Sequence, residues 1–565
     1  MFNAKRFKKT ACLLLAGLLG LGATACNFGK TNDSTGNDSS TSEPQEKAPN
    51  YTLDSYEFTT VFTDGDEKTL PQYDNTKLVT SADDNWDVTY DVYSNIGSNN
   101  YLKLELTTDV DVVGYIHYYN NADKSQSHAE KFFVEAGSTE FVTFLDAFRA
   151  GANGAYEKTI TKITFKNVDA TKVGIFTFKS LGINDRAIDT NEYMYISDGS
   201  TVLGTSAFYG GCITYLEKLE QDVYEYMDSD GNICIDRDVD PDWVEGVTTD
   251  KVNLINIMDL GREVQPSYYS GVGIENGYDP VYDPEDKDSY YQGLSGKPIY
   301  NPIQCGDFGN HSPQIIDFNY QSDRLYIKMK AQEWFFYTNI QANGYIEVTY
   351  YFDKNGSVMV DNRYMDFSQF INEMDVPMHL QETPATYFVY PLNYFYCETK
   401  QGVIFDKNVG EQNGRSKSKT GKTHAVDGDY IYELSAKTVK NGWCAFVNEN
   451  KFGVGIYMPN ADKYVASRGR KSTNYFAEEG NSIYYDHFFQ FEDGELIPSY
   501  AVFNYSYINP ALHRRMVQFI PLEYSYALFV GDTDEMGTAF KQLKEENILT
   551  NAHLANEETM GWPNY

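Results

Sequence analysis

The sequence predicts an all-β protein of antiparallel strands with few short helices, and three observations support this prediction. Aromatic residues make up 15% of the 565 residues, with 47 Tyr and 34 Phe, and both residue types favour strands. Runs that alternate apolar and polar residues, such as "YLKLELTTDVDVVGYIHYY", are punctuated by Gly, Asn and Asp, as expected for half-buried strands separated by turns. Helical periodicity is scarce, and its clearest example is "EMGTAFKQLKEENILTNAH" near the C-terminus.

Residues 1–25 have the pattern of an export signal. Four basic residues between positions 5 and 9 precede the apolar run "ACLLLAGLLGLGA", and small residues lead to Cys26. A run this short with this ending indicates a cleaved signal rather than a membrane span. The ending "ATAC" resembles a bacterial lipoprotein signal, although that family prefers leucine where Ala23 stands. The resemblance implies that Cys26 is lipidated and that its acyl chains anchor the protein; the alternative is an ordinary cleaved signal followed by a chance cysteine.

Residues 26–50 are predicted to be the lipidated cysteine and a flexible linker. The segment "NFGKTNDSTGNDSSTSEPQEKAPN" is rich in small polar residues and has no apolar period. Such a segment buries too little apolar surface to offset the entropy of ordering it. We see no second hydrophobic span, so we expect a lipid-anchored protein at the extracellular face of the bacterial cell membrane.

Residues 51–187 are predicted to form an N-terminal β-sandwich. Two alternating runs, "ITKITFKNV" and "VGIFTFKSLGI", close this region. They resemble the last strands of jelly-roll carbohydrate-binding modules, which implies a jelly-roll-like sandwich that binds a glycan. The alternative is a spacer sandwich without a ligand.

Residues 188–565 are predicted to form a large antiparallel body that holds the catalytic site. The segments "EYMYISDGSTVLGTSAFYGGCITYLEKL" and "KVNLINIMDLGREVQPSYYSG" contain a short strand, a Gly-Gly pair, a second strand and a Gly-Arg corner. This order resembles the opening of galactose-mutarotase-type β-supersandwich proteins, many of which act on sugars. The resemblance implies a β-supersandwich, but a fold by itself does not determine a function.

The charge of the chain limits the classes of partner. The sequence has 81 acidic and 46 basic residues, a formal net charge of −35. An acidic body repels phosphate backbones, so we expect no nucleic-acid partner. Carbohydrate is the expected partner, and an uncharged glycan is easier to accept than a polyanionic one.

The cysteines predict neither a zinc site nor a dense disulfide framework. Five remain after the signal and the lipidation site: Cys212, Cys234, Cys305, Cys397 and Cys444. They are widely spaced, without a CxxC or a Cys/His cluster. One or two disulfides are compatible with this spacing, which does not identify the pairs.

We expect no cofactor. The segment "MDSDGNICID" has Asp228, Asp230 and Gly231 in the manner of a calcium loop, but their offsets differ from those of an EF-hand. A D-G hairpin turn is the favoured interpretation, and a structural calcium is the alternative.

Four segments combine carboxylates, amides and aromatic residues outside strand alternation. Planar amide and guanidinium groups can bond sugar hydroxyls in pairs, and Tyr and Trp rings can cover sugar C–H faces. The predicted substrate-binding residues are Arg262, Gln265, Tyr268, Tyr269, Asn301, Gln304, Asn310, His311, Trp334, Gln381, Trp443 and Asn448.

Asp307 and Glu382 are the predicted catalytic pair of a glycoside hydrolase on a neutral poly- or oligosaccharide. Hydrolysis needs two carboxyl groups across the scissile bond, one acidic and one basic, and Glu347 is a reserve candidate. One alternative is a non-catalytic glycan-binding lipoprotein. Another is a polysaccharide lyase in which Tyr268, His311 and Arg262 move a proton and neutralise a uronate. An adhesin or structural surface protein is the third.

Overall fold

The computed structural model describes most of the chain between residues 87 and 554 and two short strands before it. The described residues are 68–69, 75–79, 87–145, 157–169, 172, 174–184, 193–218, 224–227, 233–236, 253–256, 263–269, 273–275, 279–281, 300–306, 311–321, 323–334, 341–368, 379–389, 392–407, 409, 422–424, 430–469, 505–514 and 516–554.

Nine strands form two antiparallel sheets at the N-terminal end of the described chain. They are β1 (Lys68–Thr69), β2 (Asn75–Val79), β3 (Asp87–Gly97), β4 (Tyr101–Thr108), β5 (Val112–Asn120), β6 (Asp123–Val134), β7 (Glu140–Phe144), β8 (Lys158–Asn167) and β9 (Gly174–Asn184). One sheet has the order β2-β9-β4-β7, with β1 also paired to β9, and the other has the order β3-β8-β5-β6. The eight strands β2 to β9, distributed over two sheets in this order, form a jelly roll, and the two-residue β1 adds to the edge of the first sheet.

Aromatic residues from both sheets fill the space between them. The rings of Tyr90 and Phe165, from β3 and β8, lie with their centroids 4.9 Å and 5.4 Å from that of Phe178 on β9. Phe132 on β6 and Phe141 on β7 are stacked at 5.5 Å. The alternation seen in the sequence therefore turns one face of each sheet into a shared core.

The following strands form the C-terminal body, which is dominated by one twenty-stranded antiparallel sheet. Its first strands are β10 (Tyr193–Ser197), β11 (Thr201–Ser206), β12 (Ile213–Lys218), β13 (Tyr224–Met227), β14 (Ile233–Asp236), β15 (Val264–Ser267), β16 (Gly273–Glu275), β17 (Asp279–Val281), β18 (Pro302–Ile303), β19 (Gln314–Tyr320), β20 (Arg324–Glu333), β21 (Gln341–Phe352) and β22 (Val358–Asp366). The others are β23 (His379–Val389), β24 (Tyr394–Thr399), β25 (Gly402–Asp406), β26 (Lys422–His424), β27 (Tyr430–Ser435), β28 (Trp443–Val447), β29 (Phe452–Tyr457), β30 (Lys463–Gly469), β31 (Tyr505–Arg514), β32 (Leu522–Asp532) and β33 (His553–Leu554). The pairs β13-β14 and β16-β17 stand apart from the large sheet.

The predicted all-β class with few helices is confirmed. The helix α1 (Thr533–Glu546) follows β32 and begins with a capping box, in which Asp532 accepts bonds from two backbone amides and Glu535 bonds back. The sequence pattern predicted helix up to residue 553. The helix ends earlier because Asn547 adopts the left-handed conformation that terminates helices.

The jelly roll and the body are joined by a shared core and by ion pairs. Phe133 on β6 lies against Phe367 and Phe519 of the body, with ring centroids 6.4 Å and 5.3 Å away. Glu130 on β6 forms a buried ion pair with Lys330 on β20. The jelly roll and the body therefore share a packed interface.

Within the described residues, no helix is both long and apolar enough to cross a membrane.

Candidate functional site

Residues 263–269 place two adjacent tyrosines on opposite sides of the sheet. Val264 and Tyr268 belong to the main core of the body. Ser267 and Tyr269 lie on the other side, because successive side chains of a strand alternate between its faces. The strand is irregular where it pairs with β23, between Gln265 and Ser267.

Tyr268 is a core residue. Its ring is stacked on that of Tyr364 with centroids 4.0 Å apart, and its hydroxyl lies 3.0 Å from the hydroxyl of Tyr524. Burial raises the pKa of Tyr268 above its ordinary value. A buried, protonated tyrosine inside the core has no path to a polymeric substrate, so Tyr268 has a structural role.

Tyr269 lies in a polar group that we call the Glu382 cluster: Ser267, Tyr269, Asn301, Glu382 and Tyr507. The antiparallel register brings it together, because β15 pairs Ser267 with Glu382 of β23, and β23 pairs in turn with β31, which carries Tyr507. The Tyr507 hydroxyl donates a 2.7 Å hydrogen bond to Glu382 Oε1. The Ser267 hydroxyl donates a 2.7 Å bond to Asn301 Oδ1.

The side chain of Gln381 holds the backbone of Tyr269 in position. Its Oε1 accepts a 2.6 Å bond from the Tyr269 backbone amide, and its Nε2 donates a 3.0 Å bond to the Tyr269 carbonyl oxygen. The same nitrogen donates to the carbonyl of Arg514. Gln381 is fully buried, so its role is to orient Tyr269 rather than to contact a ligand.

Both tyrosines of the cluster retain their protons. Burial, followed by the negative charge of Glu382, raises the pKa of Tyr269, while hydrogen bonds with Ser267 and Asn301 act in the opposite direction. Burial and the charge of Glu382 likewise raise the pKa of Tyr507 well above its ordinary value. Neither tyrosine is therefore available as a base near neutral pH, and both are suited to donate hydrogen bonds.

A row of tyrosine rings, the tyrosine wall, leads away from Glu382. The ring centroid of Tyr387 lies 5.0 Å from that of Tyr507 and 4.9 Å from that of Tyr505. Tyr387, Tyr505, Glu382 and Tyr269 are all partly exposed. A carboxylate beside accessible aromatic faces is a combination that can bind a sugar, because it serves both the hydroxyl groups and the C–H face.

Glu333 supports the cluster from the neighbouring strand β20. Both of its carboxylate oxygens lie 3.0 Å from the backbone amide of Asn301, and the Trp334 amide donates a 3.1 Å bond to the Asn301 carbonyl. Glu333 is buried and Trp334 is half-buried. Glu333 therefore holds Asn301 in place, and Trp334 follows directly at the partly exposed end of the strand.

Sequence reasoning missed Ser267, Glu333 and Tyr507. A signal existed for Tyr507, because "NYSYINP" places tyrosines at positions 505 and 507, on one face of a strand. Ser267 and Glu333 carry no comparable signal, since their roles arise from strand pairing.

Other predicted site residues lie away from the Glu382 cluster. Trp443 is buried against Tyr396 and against Phe540 of α1, with centroid distances of 5.4 Å and 5.6 Å. Asn448 closes the turn between β28 and β29 by accepting bonds from the amides of residues 450 and 452. We assign both residues a structural role.

Gln265 and Gln304 are also buried. Gln265 Oε1 accepts a 2.8 Å bond from the amide of Cys305. Gln304 Nε2 donates a 3.2 Å bond to the Tyr350 hydroxyl. Both side-chain amides therefore connect neighbouring segments beside the Cys212–Cys305 disulfide. His311, another predicted site residue, is half-buried in the segment before β19.

Glu347, the reserve carboxylate, belongs to an ion-pair network. It lies 2.8 Å from Arg363 and 3.5 Å from Lys328. Burial acts to raise the pKa of Glu347, but the charges of Lys328 and Arg363 outweigh it and hold the pKa below its ordinary value. A carboxylate kept ionised by two cations is suited to a structural role rather than to proton donation.

Several predictions fall outside the described residues. They concern Cys26, Arg262, Asp307, Asn310 and the acidic turn at Asp228, Asp230 and Gly231.

The cysteines are partly paired. Cys212 and Cys305 form a disulfide, and Cys397 and Cys444 are buried thiols with sulfur atoms 3.3 Å apart. Glu263 is the third member of the one group of potential metal ligands in the part of the chain that the structure describes, with Cys212 and Cys305. Because both sulfurs are in the disulfide, this group offers no thiolate to a metal, and we propose no metal site there.

No protein-family model matches the chain, and no curated protein matches it in sequence. Among solved structures, the chain is similar to a 4-α-glucanotransferase from Thermococcus litoralis, with a TM-score of 0.26 and 10% identity over 61% of this chain and 38% of that protein's length. It is also similar to a GalM/aldose epimerase homologue from C. elegans, with a TM-score of 0.28 and 9% identity over 60% of this chain and 98% of that one. These are weak fold resemblances, and at such TM-scores they carry no argument about activity.

Proposed function

We propose that the protein binds an uncharged glycan at the Glu382 cluster and hydrolyses it, with Glu382 as a catalytic carboxylate. The observation that carries this proposal is the position of Glu382. Its carboxylate is partly exposed, accepts a 2.7 Å bond from Tyr507, and stands at the end of the tyrosine wall. Ring faces would cover the C–H face of a sugar while Glu382 meets its hydroxyls, and the buried Asn301 holds Ser267 in place rather than contacting the ligand.

An uncharged glycan is favoured over a polyuronate on two grounds. The chain has a net charge of −35, which repels polyanions. A lyase also needs a base with access to the substrate, whereas Tyr268 lies in the core and the pKa of Tyr269 is raised by burial and by Glu382. Both features favour hydrolysis over elimination at this cluster.

Hydrolysis needs a second carboxyl group, and Asp307 is the proposed partner. It follows β18 by four residues, and Ile303 of β18 pairs directly with Ser267 of the cluster. Glu333 is a weaker partner because it is buried, with both oxygens at the amide of Asn301. Asp307 and Glu382 would then act as the acid and base, or acid and nucleophile, that glycoside hydrolysis requires.

Non-catalytic glycan binding is the second candidate function. It is favoured by the engagement of Glu382 with two protonated tyrosines, which would suit a permanent hydrogen-bond acceptor. In this case the tyrosine wall and Glu382 retain the ligand, and no second carboxylate is needed.

One experiment separates these functions. The lipidated chain in detergent is incubated with neutral and acidic polysaccharides, and products are read by mass spectrometry, with ultraviolet absorbance to detect unsaturated uronates. Glu382→Gln and Asp307→Asn are compared with Glu545→Gln, an exposed carboxylate on α1. Saturated products that disappear in both site variants and persist in the control support hydrolysis. Retention without products supports binding alone, and unsaturated products would refute both proposals.

We also propose that the protein is exported and anchored by a lipid at Cys26. The N-terminal signal pattern supports this proposal, and so does the Cys212–Cys305 disulfide, because stable disulfides belong mainly to oxidising compartments. A Cys26→Ala variant should lose metabolic labelling by a fatty acid and leave the membrane fraction. A variant that stays labelled and membrane-bound would contradict the anchor.

A further inference from the structure

The outer face of β10 carries tyrosines that the Glu382 cluster does not use. Met194 and Ile196 of this strand enter the core of the body, so Tyr193 and Tyr195 point outward. Their side chains are 50% and 39% exposed. The two rings are stacked, with centroids 6.4 Å apart and planes at 20°.

Strand register extends this row across two further strands. Tyr195 pairs with Gly204 of β11, and Gly204 pairs with Tyr215 of β12. A Cβ atom at Gly204 would lie 2.5 Å from a ring carbon of Tyr195 and 2.8 Å from Cβ of Tyr215. The glycine therefore lets the ring of Tyr195 lie across β11 and meet the ring of Tyr215 edge-on, at 5.8 Å and 82°.

Tyr320 of β19 adds a ring on the other side of β10. Its hydroxyl donates a 2.7 Å bond to the carbonyl oxygen of Tyr195 and accepts a 3.1 Å bond from the amide of the same residue. Its side chain is 43% exposed. Both backbone groups of Tyr195 are thus bonded by a side chain, which fixes Tyr320 against the strand.

We call Tyr193, Tyr195, Tyr215 and Tyr320 the tyrosine surface. Packing on Gly204 accounts structurally for Tyr195, since aromatic rings can cover a glycine within a sheet. It does not account for the exposure of Tyr193 and Tyr320, whose rings would be more stable out of water. Contiguous exposed aromatic side chains mark interaction surfaces, and rings held in place lose little conformational entropy on binding.

We propose that the tyrosine surface is a second carbohydrate-binding site and that its ligand is an uncharged polysaccharide chain. The rings offer flat apolar faces, and the pKa of Tyr195 is raised to about 12 by burial and by Tyr193 and Tyr320, so its hydroxyl stays neutral. The surface is bordered by Glu217, which accepts a 2.6 Å bond from the Tyr215 hydroxyl, and Asp198 follows the end of β10 one residue later. This acidic border disfavours a polyanion.

A cationic peptide would be attracted by the same charges but would find few acceptor atoms to bind, because Asp198 Oδ1 and Glu217 Oε2 already accept hydrogen bonds within the protein. Asp198 Oδ1 accepts three bonds within its own turn, from the amides of Ser200 and Thr201 and from the hydroxyl of Ser200. Glu217 is bound to Tyr215. The hydroxyls of Tyr215 and Tyr320 are bonded within the protein, so the features left for a ligand are mainly the exposed ring faces, and these match the C–H faces of a neutral sugar.

This site goes beyond the proposed function because it binds polymer without cleaving it and shares no residue with the Glu382 cluster. Binding is measured by retardation of the full lipidated chain, in detergent, in native gels that contain glucan, mannan, xylan or polygalacturonate. Tyr193→Ala should weaken the association with a neutral polysaccharide by about tenfold, which is near the upper end for one aromatic contact. Tyr193→Phe should remain within about twofold of the wild type, because the ring face is kept.

Phe405→Ala is the matched control, because Phe405 is a 38% exposed aromatic residue on β25 of the body and belongs to neither proposed site. It should bind as the wild type does. Tyr193→Ala should also cleave short soluble oligosaccharides at the wild-type rate and melt at the wild-type temperature. If the wild type cleaves no glycan but Tyr193→Ala still loses retardation, the hydrolase proposal fails and the tyrosine surface stands. Unchanged retardation of Tyr193→Ala, or a preference of the wild type for polygalacturonate, overturns the tyrosine surface.

Discussion

The Lys330–Glu130 ion pair should be the largest single electrostatic contribution to the joint between the jelly roll and the body. Both side chains are buried, and Glu130 Oε2 also accepts a 3.3 Å bond from the Tyr118 hydroxyl. Lys330→Met would leave the buried carboxylate of Glu130 without the lysine, with the His128 ring, 3.7 Å away, as its remaining basic neighbour. Removing one member of a buried pair typically costs about 3–5 kcal/mol, and we expect a loss of that size in the free energy of unfolding.

The double variant Lys330→Met/Glu130→Leu tests the cause of this loss. It removes both charges and fills the site with apolar side chains, so most of the stability should return. Unfolding is followed by urea titration with circular dichroism and by calorimetry, which reports whether the jelly roll and the body separate as two transitions.

Lys463→Met is the matched control for this prediction. Lys463 lies 3.3 Å from Glu433, and the two side chains are 38% and 29% exposed. A solvated pair contributes at most about 1 kcal/mol, so the control should unfold nearly as the wild type does. If Lys330→Met loses less than about 1 kcal/mol, or if the double variant is no more stable than the single one, the reasoning about the buried pair is wrong.

Three further predictions concern pH, thiol chemistry and helix capping. Burial raises the pKa of Asp366 from 3.8 to about 6 despite its hydrogen bonds. The protonated carboxyl group therefore favours the folded state at low pH. The protein loses about 3 kcal/mol of this stabilisation as the pH rises through the folded-state pKa. Asp366→Asn should therefore gain about 3 kcal/mol on the wild type between pH 3 and pH 7 in parallel urea titrations, and a constant difference would contradict this. Cys397 and Cys444 are buried, and burial raises the pKa of Cys444. Iodoacetamide should therefore label both thiols only after unfolding, as read by peptide mass spectrometry. Rapid labelling of the native protein would refute the burial argument. Asp532→Ala removes the bonds that cap α1 and should cost about 1 kcal/mol; an unchanged melting temperature would show that the cap contributes nothing.

Local alternation was sufficient to predict the class of the fold. Residues such as Met194 and Ile196 alternate with Tyr193 and Tyr195, and a strand must turn every second side chain to the same face. Helix α1 was predicted from the same kind of local pattern, but its end was not. Asn547 stops the helix by its backbone conformation, which hydrophobic spacing does not encode.

The candidate site was predictable in part. The sequence selected Tyr269, Asn301, Gln381 and Glu382 from segments that combine amides, carboxylates and aromatic rings. It also selected Trp443, which the structure buries against α1. A tyrosine in a core and a tyrosine in a binding site have the same composition signal, since the residue serves both roles.

The sequence by itself determined the all-β class and the acidic charge, and it predicts export and a lipid anchor, because these features depend on composition and on neighbours along the chain. Tertiary structure decided which segments meet. It placed Glu382 opposite Ser267 and beside Tyr507, paired Cys212 with Cys305, and sent Tyr268 and Tyr269 to opposite faces. These contacts join residues 93 to 125 positions apart, and antiparallel register, rather than local pattern, sets such partners.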